Sequence, residues 1–322
     1  MQTKIFVCVK QNIRLDHFLT AELNVSRSRI TDLIKSALVS VNGVTQTKAG
    51  WKLNMYDKVH VLFLEPKPHE ISSVDFDIPI IFEDEDILVI NKPPHITVHS
   101  APSVKEPTVV DWLKSKNISL SSLSGKERSG IVHRIDKETS GALIVAKNNA
   151  AHTNLAKQLE NRTLGRYYLA LIDYPLKNDT IVDKPIGRNP KNRLKMAVVQ
   201  NGRAAKSAFC SLLTNEPEQV ELIGAKLYTG RTHQIRVHLN ALGRHILGDN
   251  LYGFKSQKDK IIRVMLHAYY LYLIHPKSGE KIMVSAPLYD DFKEQLFRFF
   301  TKENIHETLS ADAIILRLNS AF

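Results

Sequence analysis

The first 64 positions switch from a helical to an alternating rhythm of apolar residues. Over 14–22, Leu15, Phe18 and Leu19 recur at the spacing of one helix face, and Ile30, Leu33, Ile34 and Leu38 repeat it, so two short amphipathic helices are predicted. Ser26 or Ser28 can cap the second, whose polar side carries Arg27, Arg29 and Lys35. Leu38-Val39-Ser40-Val41 then alternates up to Asn42-Gly43, the dipeptide of a tight hairpin turn, and Val59 to Phe63 supplies a later strand. The expected module is two helices followed by β structure over 13–64. Pro66 and Pro68 then favour an extended linker, placed at 65–75.

Beyond the linker the pattern is mostly short β-rich runs, at 78–82, 87–91, 143–147, 167–172, 208–213, 220–227, 265–274 and 281–285. Helical patterns interrupt them at 149–162, 233–242 and 289–301. Because regular βαβ alternation is missing, the expected class is α+β on a mainly antiparallel mixed sheet, in a domain at 76–305 with a tail at 306–322. The tail carries an apolar triplet, Ile314-Ile315-Leu316, that could pack on the body or extend from it.

Composition narrows the setting. The apolar runs fall far short of the roughly 20 residues needed to span a bilayer, and Ile5 to Val9 is too short for a secretory signal. Cys8 and Cys210 sit in no metal or disulfide spacing, so a reducing cytoplasm is expected. The net charge of +11 is uneven, because residues 1–64 carry nine Lys+Arg against four Asp+Glu. A basic appendage on a nearly balanced body points to a polyanionic partner.

Residues 130–141 form a polar loop flanked by strand-like runs, the kind of place where reactive groups are held by a rigid scaffold. Its HRIDKETSG stretch, at 133–141, resembles the HRLDxxTSG signature of the RluA family of pseudouridine synthases, with Ile135 as a volume-conserving change. Further segments follow in the family's order: Ile90-Asn91-Lys92-Pro93 with His99, RYYLAL at 166–171, TGRTHQIRVH at 229–238, GDNLYG at 248–253 and Leu266-His267-Ala268. Ser207 stands where many members have Thr. The N-terminal module, with RLDHFL at 14–19, SRSR at 26–29 and Val41-Asn42-Gly43, resembles the S4 RNA-binding domain.

The resemblance implies an enzyme that isomerises uridine in RNA to pseudouridine without a cofactor. The essential carboxylate maps to Asp136. A carboxylate in a dry pocket tends towards protonation, so a nearby cation is needed to keep it charged. That cation maps to Arg231, with phosphate binding as its alternative, and Tyr168 maps to the active-site tyrosine that stacks on uracil or serves as a base. Arg134 is expected to act when the target nucleotide leaves its stack. Arg27, Arg29, Lys35, Lys92, Arg236 and Lys147 are expected to meet RNA phosphates. His233 and His238 lie five apart rather than at the four-residue spacing of a helical zinc pair, so no metal is expected. The expected partner is RNA, with large-subunit ribosomal RNA ahead of transfer RNA, and the chain is expected to act as a monomer. A binding protein without turnover is the competing class, and a metal-dependent RNA hydrolase is a third.

Overall fold

The computed structural model describes residues 2–23, 27–63, 73–101, 104–253, 261–309, 313–314 and 316–317, without the side chains of Gln2, Ser28, Arg29 and Phe63. Most of the expected linker, Ser26 as a cap and much of the C-terminal tail therefore lie outside the described residues. The chain divides into two compact units, Met1–Glu70 and Ile71–Phe322.

In the first unit the order is β1 (Gln2–Val7), β2 (Ile13–Arg14), α1 (Leu15–Leu23), α2 (Arg27–Lys35), β3 (Val39–Val41), β4 (Val44–Thr45), β5 (Lys52–Leu53) and β6 (Lys58–Phe63). Leu15, Phe18 and Leu19 of α1 meet Ile30 and Ile34 of α2 over Val39, Val41, Val59 and Val61, so the helical and alternating faces read from the sequence share one core. The second helix stops before Leu38 because Ala37 takes a left-handed backbone, with φ of 58°, and its N–H bonds the Ile34 carbonyl. Asn42 and Gly43 both have positive φ, the conformation a tight turn between right-twisted strands demands. The sequence pattern had not shown β1: it lies upstream of residue 13 and pairs antiparallel with β6, giving sheet order β1-β6-β3-β4.

The second unit runs β7 (Ile80–Glu83), β8 (Ile87–Lys92), α3 (Val109–Ser115), β9 (Ser140–Ala146), α4 (Asn149–Glu160), β10 (Gly165–Asp173), β11 (Thr180–Asp183), β12 (Ile186–Arg188), β13 (Met196–Val198), β14 (Lys206–Asn215), β15 (Val220–Leu227), α5 (Gln234–Ala241), β16 (His245–Ile246), β17 (Leu266–Ile274), β18 (Lys281–Ser285), α6 (Asp290–Phe299) and α7 (Lys302–Thr308). The main sheet has order β11-β14-β15-β10-β17-β9-β8-β7, with β16 beside β10 and β18 beside β17. Among the described strands its pairings are antiparallel except β9 with β17. The mixed α+β expectation holds.

Strands β8 and β9 are buried at every position because both sheet faces are covered there. Leu88, Ile90, Leu143 and Val145 point into one core with Trp112 of α3, while Ile87, Val89, Ala142 and Ile144 point into another closed by Ala151 and Leu155 of α4. Burying each such aliphatic side chain contributes about 1.5–3 kcal/mol, which makes these strands a stiff support for the loop that enters β9. Helix α3 begins with a capping box, in which Thr108 accepts from the Asp111 N–H and the Asp111 carboxylate accepts from the Thr108 N–H. In the tail, Ile314 is buried in the larger core and Leu316 is exposed.

Candidate active site

The signature loop is fixed by the parallel pairing of β9 with β17. Ser140 and Gly141 pair with His267 and Ala268 of β17, and Ala268 pairs on its other side with Tyr168 of β10. Gly141 has φ of +114° and a Cβ there would lie 2.3 Å from the Ala268 carbonyl oxygen, so only glycine lets the strands approach. The Ser140 hydroxyl is 2.8 Å from His267 Nδ1, and His267 Nε2 is 3.1 Å from the Ala286 carbonyl. Burial pulls the His267 pKa down to about 4, so the ring stays neutral. Two motifs far apart in sequence are thus partners that hold the loop beside Tyr168.

Asp136 emerges from this loop, with 19% of its side chain exposed, into a pocket also lined by Arg134, Arg166, Tyr168, Gly230, Arg231 and Arg236. The cation on Asp136 is not the expected one. Arg236, on the first turn of α5, places Nη1 3.4 Å from Asp136 Oδ2. Its Nε and Nη2 donate to the two oxygens of buried Asp249 at 2.7 and 2.8 Å. Burial alone would pull the Arg236 pKa down, but the Asp249 hydrogen bonds and charge outweigh it and the net direction is upward. Arg231 instead donates its Nε to the Ala204 carbonyl at 3.0 Å, so that nitrogen is not available to Asp136. The expectation that Arg236 merely steers RNA backbone is corrected with it, since Arg236 is buried between two carboxylates.

The loop before α5 is tied by Gln234, whose Oε1 accepts from the Thr229 hydroxyl and the Arg231 N–H while its Nε2 donates to the Lys206 carbonyl and Ser207 Oγ. Asp249 also accepts from the N–H groups of Leu251 and Tyr252, so GDNLYG is the clamp for Arg236. The Tyr252 ring lies 5.0 Å beneath the Arg236 guanidinium. Its hydroxyl accepts from the Met196 N–H and sits 2.9 Å from His233 Nδ1. His238 is committed to Ser207 Oγ and the Lys184 carbonyl, both at 3.0 Å.

Tyr168 is buried, and that burial pushes its hydroxyl up to about 12. The hydroxyl is therefore protonated near neutral pH and available to donate, and the residue lines the pocket beside Asp136. Lys92, expected on RNA, is corrected too. It has no exposed surface, and its ammonium donates to the carbonyls of Pro93, Ile96 and Lys137 at 2.6, 2.9 and 3.1 Å. Burial pulls its pKa down to about 7, but three acceptors need three N–H groups, which only the ammonium form has. Lys92 thus anchors the chain immediately after Asp136. Lys147 is held by Glu83 Oε1 and the Asp84 carbonyl. Arg134 is exposed at the pocket mouth, with Nη1 3.3 Å from Nε2 of His99.

In the N-terminal unit, Arg14 and Arg27 converge on Asp16: Arg14 Nε and Nη2 reach its oxygens at 3.0 and 3.1 Å, and Arg27 Nε at 2.9 Å. The Arg14 hydrogen bonds lead in holding the Asp16 pKa down at about 2, against the opposing effect of burial. Arg27 is 56% exposed yet committed to this pair, Lys35 is exposed at the end of α2, and the Arg29 side chain lies outside the described residues.

A family model described as RNA pseudouridylate synthase matches residues 86–241, and one described as S4 domain matches 13–59. An RNA pseudouridine synthase of Helicobacter pylori is 48% identical over 97% of this chain and 98% of its own length. The chain belongs to the RNA pseudouridine synthases. Ribosomal large subunit pseudouridine synthase D of Zymomonas mobilis is 36% identical over 90% of this chain and 95% of its own. The solved structure of human RNA Pseudouridylate Synthase Domain Containing 1 superposes with a TM-score of 0.53 at 26% identity, covering 74% of this synthase and 98% of that chain. No helix among the described residues is long and apolar enough to cross a membrane.

Asp249 and Lys92 carry structural roles that the sequence alone did not assign, although both stand inside quoted motifs. A second acidic residue in a glycine-bounded motif, in a chain already needing a cation for its aspartate, was the available signal for Asp249.

Proposed function

We propose that this synthase converts uridines of large-subunit ribosomal RNA to pseudouridine with Asp136 as the catalytic carboxylate. The observation that carries the reading is Asp136 itself, partly open to a pocket walled by Tyr168 and faced by the Arg236 guanidinium at 3.4 Å. Isomerisation breaks the N1–C1′ bond, turns the uracil, joins C5 to C1′, moves the C5 proton to solvent and protonates N1, so atoms and electrons balance without a cofactor. An ionised carboxylate serves as nucleophile at C1′ or at uracil C6, or as the base and electrostatic partner on the route through a glycal. Arg236 supplies the fixed counter-charge, and its position is set by Asp249 rather than by the substrate. Tyr168 offers an apolar face on which the uracil is held while it turns, and its protonated hydroxyl donates to sugar or base. The target base must leave its stack to arrive there, and exposed Arg134 at the pocket mouth occupies the vacated space or holds the flanking phosphate.

The ribosomal target rests on relatives that include two named ribosomal large subunit pseudouridine synthase D, together with the basic S4 domain. Mapping pseudouridines in total RNA from cells with and without the gene tests it. The expected result is loss of one or a few large-subunit positions; loss confined to transfer RNA would redirect the assignment.

A further inference from the structure

Next to the Asp136 pocket lies a second groove whose lining includes Arg128, Arg134, Arg162, Arg166, Arg203 and Arg231, against one acidic residue, Glu160. Arg166 is its deepest cation. It stands two residues before Tyr168 on β10, so both side chains leave the same sheet face, and both line the Asp136 pocket. Only 6% of Arg166 is exposed, its Nε has no hydrogen-bond partner, and no carboxylate pairs with it among the described residues. Burial pulls its pKa down and the charge of Arg231 adds to that, while burial and the charge of Arg203 do the same to Arg231. Gly230 keeps the space open, since a Cβ there would lie 2.5 Å from Arg166 Nη1. The protein thus gathers three guanidiniums near one another and gives the buried one no counter-ion, an arrangement that costs stability unless an anion arrives.

We propose that Arg166, Arg231 and Arg203 form a binding site for a backbone phosphodiester of the RNA strand, next to the nucleotide that enters the Asp136 pocket. This rests on RNA being the substrate. Guanidinium forks match phosphate oxygens bidentately, and a buried fork gains most from such a partner because little water competes. Arg166, Arg231 and Gly230 line both cavities, so a strand whose base enters one carries its backbone across the other. The arginine that was expected to hold Asp136 charged is, on this geometry, a phosphate ligand. Arg166 then joins the two halves of recognition: its strand also carries the tyrosine wall of the base pocket.

The test uses the full-length protein and a short oligouridylate, with affinity followed across a salt titration for wild type, Arg166→Gln, Arg203→Ala and Asp136→Asn. Each arginine variant should bind about tenfold more weakly at low salt, and the slope of log affinity against log salt should flatten by about 0.7 for each lost single-strand contact. Replacing the phosphodiesters by neutral methylphosphonates should erase the difference between wild type and these variants. Equal affinities and slopes for wild type and both arginine variants would overturn the site. Because Arg203 is exposed, Arg203→Ala decides the matter even where Arg166→Gln does not fold. Inorganic phosphate at millimolar concentration that displaces the oligouridylate completely would mark a free-anion site and overturn the RNA assignment. Asp136→Asn should bind like wild type. A wild-type enzyme that binds through these arginines but converts no uridine in ribosomal RNA would refute the proposed target while upholding the phosphate site. Turnover with arginine-independent binding would refute the site alone.

Discussion

Asp16 and Asp136 each meet arginine, and they are handled in opposite ways. Asp16 in the N-terminal unit is 2% exposed and receives two guanidiniums and the His17 N–H, so its lone pairs are spoken for. Asp136 is 19% exposed and receives one guanidinium at 3.4 Å, from an arginine whose two short bonds go elsewhere. The first arrangement puts a surplus of cations on one carboxylate and locks it. The second shares one cation between two carboxylates, locks Asp249, and leaves Asp136 with oxygens facing a cavity. Saturation suits a structural carboxylate, and spare capacity beside a fixed charge is what the role proposed for Asp136 requires, even where residue types are identical.

The comparison breaks first at Asp136. Asp136→Asn keeps the shape and removes the charge, so pseudouridine formation should fall about ten-thousandfold or more, with RNA affinity little changed. A rate within tenfold of wild type would show that Asp136 does no chemistry. Asp249→Asn is more selective, because Asp249 is buried and acts on Arg236. It should loosen Arg236 and slow single-turnover conversion about a hundredfold, as misplacement of a catalytic group does, while KM moves little. A purely structural role would instead lower stability and leave the rate of the folded fraction intact.

Smaller effects belong to the saturated aspartate. Arg14→Ala should destabilise the N-terminal unit, read as faster amide hydrogen exchange over α1 and α2, without touching the single-turnover rate at saturating RNA. The pH dependence follows from sign: the folded Asp16 pKa, about 2, lies below the unfolded value of 3.8. Its stabilising contribution is therefore complete above about pH 4 and is lost as pH falls through 2. In Arg14→Ala that acid-linked loss should shrink, and an identical acid limb in both proteins would contradict the Asp16 account.

The helices of the first unit, the long strands and the helix beginning at Asn149 were legible in periodicity because burial on one or both faces is written directly into residue type. Strand β1 was not, since its outward residues Ile5 and Val7 are exposed and its short run had no turn signal to frame it. Helix α3 was missed because seven residues give too little period; the Thr108 and Asp111 capping pair was the mark to use. At the site, motif order singled out Asp136, Tyr168, Arg231 and Arg236, and the fold brings all four to one pocket. It could not say which arginine faces the aspartate, because that depends on where α5 starts and on a carbonyl at Ala204 that captures Arg231. Lys92 read as a surface cation, since nothing in its neighbours along the chain shows three carbonyls converging on it.

In the proposed function, Arg236, held by Asp249, is the cation of the catalytic carboxylate. Single-turnover conversion at saturating RNA, measured for Arg236→Lys beside Arg231→Lys, tests it most directly. Lysine keeps the charge but not the fork, so Arg236→Lys should lose about a hundred- to thousandfold in rate with affinity largely retained. Arg231→Lys should lose affinity and keep its saturated rate within about tenfold. The reverse pattern, a collapsed rate for Arg231→Lys and a near-normal one for Arg236→Lys, would contradict the account.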